Sequence, residues 1–136
     1  MITGMSHTSV WVLDQDRALA FYTEKLGYRV ATDASMGPGG RWLTVSHPEQ
    51  PDVELILAFP GPPMLAEDDA QVIRSLVAKG SLGAGVMRCD DVHATYEDLK
   101  GRGVDFIQEP TERPYGIEAL FRDDSGNWFS LTQRLG

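Results

Sequence analysis

"HTSVWVLDQDRALAFY", residues 7–22, decides the fold, because its periodicity changes in the middle. Residues 8–13 are rich in β-branched and aromatic side chains and predict a strand. Asp14 then offers a carboxylate to the free N–H groups at a helix start. Beyond it Ala18, Tyr22 and Leu26 recur at helical spacing with Phe21 beside them, and Gly27 stops the helix. The order returns in "AGVMRCDDVHATYEDL", residues 84–99, where Val92, Tyr96 and Leu99 form one helical stripe behind Asp90 and Asp91. Asp14 matches Asp91 at an offset of 77, while Ala18 matches Ala94 and Gly27 matches Gly103 at 76. A one-residue slip between strand and helix accounts for the difference.

The rest of the chain fits the same repeat. "YRVATDA", "RWLTVSH" and "VELILAF" (53–59) predict three strands, separated by "GPGG" (37–40) and "PEQPD". "PGPP" (60–63) ends the third, since consecutive prolines cannot continue a ladder. "EDDAQVIRSLVAKG" (67–80) predicts a connecting helix. In the second half "VDFIQE", "IEALFRD" and "NWFSLTQ" predict strands, with "EPTERPYG" (109–116) and "DDSGN" (123–127) as loops. The expectation is one α+β domain over residues 1–136, made of two βαβββ modules, about 5–60 and 82–134, joined by a linker with a helix at 61–81. A four-stranded sheet is too small to bury its own face, so the modules are expected to pair.

Composition narrows the function. A hydrophobic content of 42% supports a real core in a chain of 136 residues. The net charge of −8 disfavours nucleic acid and anionic membranes as partners. No apolar run reaches the ~20 residues of a membrane span, and the N-terminal stretch does not read as a signal peptide. Cys89 is the single cysteine, which leaves no intrachain disulfide, suits a reducing cytoplasm and reads as a small buried hydrophobe.

Taken together, "HTSVWVLDQDRALAFY", "LGY", "GRWLTV", "DDVHATYEDLKGRGV" and "FRDDSGNWFSL" resemble the vicinal oxygen chelate superfamily, the glyoxalase, bleomycin-resistance and dioxygenase-like proteins. The resemblance implies a curved mixed sheet enclosing a cup. In metal-dependent members it also implies two ligands from each module, one on the first strand and one on the last. Here module one supplies His7 and Glu54, whereas the repeat offsets lead to Ala84 and Ser130. Where metal-dependent relatives end in a carboxylate, this chain reads "GNWFSL". One imidazole and one carboxylate would hold a divalent ion weakly, because catalytic sites use three or more protein ligands. No cofactor is therefore expected, beyond a weak divalent metal on His7 and Glu54. Glu118 and His47 could replace a missing donor, but no spacing singles out either.

Strand alternation sets His7, Ser9 and Trp11 on one face, with Val10 and Val12 on the other. Glu54 falls with Ile56 and Ala58, Ala84 with Val86 and Arg88, and Ser130 with Trp128 and Thr132. Ser9, Trp11, Arg88, Trp128 and Ser130, with Arg113 and Tyr115 from the 109–116 loop, are the candidate ligand contacts. Arg88 could equally be a solvated strand end, and the tryptophans could simply fill the cup. His47 and His93 are expected at the surface. Three functions remain open: a metal-independent small-molecule-binding protein; a glyoxalase-like lyase or dioxygenase with His7 and Glu54 as catalytic pair; and a non-catalytic interaction module. A cytoplasmic homodimer is expected in each case.

Overall fold

The computed structural model describes residues 1–135 and divides into two units, the first ending at Ser75 and the second starting at Leu76. Unit one contains β1 (His7–Trp11), α1 (Gln15–Ala20), β2 (Arg29–Ser35), β3 (Arg41–His47) and β4 (Gln50–Ala58). The helix α2 (Glu67–Ala78) contains the unit boundary, and β5 (Gly83–Arg88), α3 (Val92–Gly101), β6 (Asp105–Arg113), β7 (Gly116–Arg122) and β8 (Trp128–Arg134) follow. Both sheets are mixed and have the same order, β1-β4-β3-β2 and β5-β8-β7-β6. The first strand of each is parallel to the last, and the other neighbours are antiparallel.

The aspartates start the helices as the sequence predicts. Asp14 accepts from Arg17 N at 3.0 Å, and Asp91 accepts from Ala94 N at 3.1 Å. Gly27 and Gly103 end the two helical segments with φ of 80° and 88°, a left-handed conformation that favours glycine. After Ala20 the first helix widens into a π-helical turn, Phe21–Lys25, where Thr23 Oγ1 donates to Leu19 O at 2.7 Å. This segment buries Ala18, Phe21 and Tyr22. The core side of the sheet contributes Val10, Val12, Leu43, Val45 and Leu57, all buried. Gln15 ties helix to sheet by donating to Leu57 O at 2.9 Å. In unit two, Val92, Leu99, Ala119, Phe121, Phe129 and Leu131 form the core, and Gln133 Oε1 accepts from Val92 N at 2.9 Å.

Two predicted loops are largely strand. β6 continues through Glu109–Arg113 and pairs Arg113 with Gly116, so 109–116 is a hairpin with a two-residue turn at Pro114–Tyr115. Pro110 is tolerated because the register shifts between Gln108 and Thr111. Gly116 has φ of 154°, and a Cβ there would collide with Gln133 O. Likewise β4 already begins at Gln50, inside the predicted "PEQPD" turn.

Candidate functional site

In unit one the ladder sets His7 beside Glu54, and their side chains meet, with Nε2 3.5 Å from Oε1. Both stay partly open, at 35% and 26% side-chain exposure. His7 Nδ1 lies 2.9 Å from Ser6 Oγ, and the fully buried Thr44 donates to Glu54 Oε1 at 2.6 Å. The Trp42 ring stands 6.0 Å from that of His7, tilted by 46°. Trp11 is half-buried and Ser9 exposed on the same strand. A histidine, a carboxylate and a tryptophan thus share one accessible patch that can accept hydrogen bonds and stack on a ring.

In unit two, Glu118 gathers three of the candidates. Its Oε2 accepts from Ser130 Oγ at 2.6 Å, and its Oε1 accepts from Tyr115 OH at 2.9 Å and faces Arg113 Nε at 3.7 Å. Ser130 Oγ also lies 2.7 Å from Thr132 Oγ1, and both hydroxyl residues are buried. Arg113 donates to Gln108 Oε1 at 3.0 Å. The hydrogen bond to the Glu118 carboxylate pushes the Tyr115 phenol above its ordinary range, because ionisation would set two negative charges together. Arg113 and Tyr115 therefore sit on a hairpin tied to Glu118, not on a loop. Arg88 and Val86 are exposed on β5, the solvated alternative for the arginine. His93 is exposed and His47 half-buried, its Nδ1 accepting from Glu49 N at 3.1 Å.

The ladders also correct the repeat arithmetic. Trp11 pairs with Ala58 and Arg88 with Thr132, while Ser46 pairs with Glu54 and Arg122 with Trp128. The last strand therefore carries an offset of 74, and the counterpart of Glu54 is Trp128; Ser130 pairs with Val86 and corresponds to Ile56. A register shift between Gly83 and Gly85 takes Ala84 out of the ladder. Neither Trp128 nor Ser130 offers a carboxylate. Among the described residues, no group of three or more His, Cys, Asp or Glu is arranged to hold a metal ion. Nor, among the described residues, does any helix reach the length and apolarity needed to cross a membrane.

Cys89 is half-buried rather than buried. Desolvation raises its pKa, opposed by a hydrogen bond from Thr95 and reinforced by Asp90 and Asp91. Alkylation by iodoacetamide near pH 7.5 is expected to run slower than for free cysteine, and a faster rate would contradict this environment.

The chain belongs to the Glyoxalase/Bleomycin resistance protein/Dioxygenase superfamily, whose model matches residues 4–131. Among solved structures it is similar to UcmS2, at 52% identity and a TM-score of 0.90 over 97% of this chain and 98% of that one. It is also similar to TnmS3, an antibiotic binding protein from Streptomyces sp. CB03234, at 34% identity and a TM-score of 0.78 over 98% of each chain. The uncharacterized protein YetH of Bacillus subtilis (strain 168) is 33% identical over 133 residues, 98% of this chain and all of its own.

Proposed function

We propose that this protein binds a small, flat, partly apolar molecule without transforming it and without a catalytic metal. The observation that carries the reading is the accessible patch of His7, Glu54 and Trp42, an aromatic surface with two directional polar groups. Similarity to an antibiotic binding protein supports an antibiotic-like ligand. The donor count speaks against a divalent centre: the patch supplies two protein ligands, and Glu54 already accepts from Thr44. The assembly is a cytoplasmic homodimer in this reading, supported by the free edge of β2 and by the single cysteine. A monomer in light scattering at micromolar concentration would refute the dimer.

Calorimetric titration of EDTA-treated protein with metal-free bleomycin and a panel of planar aromatic antibiotics tests the central claim. Saturable binding with no dependence on chelator is expected. Trp42→Ala should then weaken it by about 30-fold, on the order of 2 kcal/mol for a buried aromatic contact. Absence of saturable binding across the panel would overturn the reading.

Metal addition provides an independent check. A single site at a hundredfold excess of ion over Kd adds about 2.7 kcal/mol to stability. Zinc, nickel, manganese and iron are expected to give far less. A catalytic second reading rests on the 3.5 Å contact between His7 and Glu54. It prevails if the native protein binds metal stoichiometrically and His7→Ala abolishes both metal and a detectable turnover.

A further inference from the structure

The polar groups of the unit-one patch leave a specific kind of bonding capacity open. Glu54 Oε1 takes the hydroxyl of the buried Thr44 at 2.6 Å. Its other oxygen, Oε2, has no bonding partner among the described residues, and 26% of the side chain is exposed. Nor does any lysine or arginine among the described residues pair with this carboxylate, so its charge is not cancelled by a fixed cation. His7 Nε2 stands 3.5 Å from Oε1, longer than an N–H···O hydrogen bond of about 2.7–3.2 Å. A carboxylate can only accept, so the proton of the neutral imidazole belongs on Nε2, and Nδ1 then accepts from Ser6 Oγ at 2.9 Å. An under-used acceptor and an under-used N–H donor therefore stand side by side. Trp42 lies on β3, with β4 between it and the strand of His7, yet its ring is 6.0 Å from the imidazole. The indole thus leans across β4 toward the pair.

We propose that the His7–Glu54 pair receives a phenolic hydroxyl of the ligand, which donates to Glu54 Oε2 and accepts from His7 Nε2, with the phenol ring against Trp42 and Thr44 holding the carboxylate in position. This assignment rests on the small-molecule-binding reading above and adds the ligand's chemistry. A hydroxyl is donor and acceptor at once, which matches one acceptor beside one N–H; an ammonium group only donates and would leave the imidazole N–H unmet. A phenol also fixes its oxygen in the plane of the ring, so the two contacts orient the ring as a whole. Thr44 is a positioning residue. Its hydroxyl, fully buried, holds Oε1 and leaves Oε2 to the ligand.

Phenanthrol and its methyl ether test this, because the ether keeps the planar ring and loses only the hydroxyl hydrogen. Each is titrated calorimetrically into the EDTA-treated full chain at neutral pH. The native protein is expected to prefer the phenol by about tenfold, the factor one charge-assisted hydrogen bond supplies. Glu54→Gln should bring the preference below about threefold and leave the affinity for the ether unchanged. Thr44→Val should lower the preference too, and Thr44→Ser, which keeps the hydroxyl, should restore it. Glu97→Gln, an exposed helix residue with the same change in net charge, should keep the full preference. Equal affinity of the native protein for phenol and ether overturns this inference alone, and so does a full preference in Glu54→Gln or Thr44→Val. Loss of ether binding in Glu54→Gln also overturns it, since Glu54 would then shape the patch instead of reading the hydroxyl. Failure of the native protein to bind either probe overturns the binding reading as well.

Discussion

Phe121→Ala is expected to destabilise unit two by about 3–5 kcal/mol, the usual cost of emptying a large aromatic site in a packed core. Phe121 is fully buried and lies between two other rings. It stacks on Phe129 at 5.5 Å with an interplanar angle of 17°, and meets Phe106 at 5.8 Å. Neither neighbour can fill the void without leaving its own packing, so little of the loss is recovered. The shift of the urea midpoint measures it, with Phe59→Ala as the comparison. Phe59 is 47% exposed and should cost less than about 1 kcal/mol. Comparable effects from the two variants would show that the aromatic stack is not the core of this unit.

Asp123→Ala is expected to cost about 2–4 kcal/mol through a different mechanism, the loss of a buried acceptor. Asp123 Oδ1 receives the backbone N–H groups of Ser125, Gly126 and Asn127, each at 2.9 Å, and Oδ2 receives Asn127 Nδ2 at 3.0 Å. Alanine leaves these donors without their acceptor in a loop whose residues Ser125 and Asn127 are themselves buried. The loop leads directly into Trp128, so the variant should also disturb the environment of that indole. Near-ultraviolet circular dichroism follows that change separately from the denaturation midpoint. Asp123→Asn keeps one acceptor oxygen and should recover part of the loss. An alanine variant as stable as the native protein would mean that the loop finds other acceptors.

Elements whose signal is local were legible in the sequence. Asp14 and Asp91 cap helices because a carboxylate before an amphipathic run has one favourable use, and the strands emerge from alternation. The His7–Glu54 pair was legible as well, since the family resemblance marks both positions and β1 and β4 run side by side. The hairpin at 109–116 was not. Its prolines and glycine read as breakers, and the register shift that accommodates Pro110 depends on the partner strand. Glu118 was legible only as a possible replacement metal donor with no spacing to single it out, and Trp42 was not singled out at all. A constant repeat offset carried through the chain leads from Glu54 to Ser130. The connection between the third and fourth strands, however, is two residues shorter in unit two than in unit one. Ser46 faces Glu54 across eight positions, whereas Arg122 faces Trp128 across six. Such a slip is invisible until the ladders are paired, and alternation within "RWLTV" was the one local signal that set Trp42 on the same face as Thr44.

The tight turn at Pro114–Tyr115 has a kinetic consequence. A long flexible segment over Glu118 would have to swing aside for each arriving molecule and would impose its own opening time on capture. A hairpin whose strands are laddered up to the turn, with Tyr115 hydrogen-bonded to the carboxylate beneath and Arg113 to Gln108, has no such slow step. The arrival rate at this face should therefore rise linearly with concentration and show no plateau in stopped-flow mixing. Differences in residence time would then set the ranking among compounds.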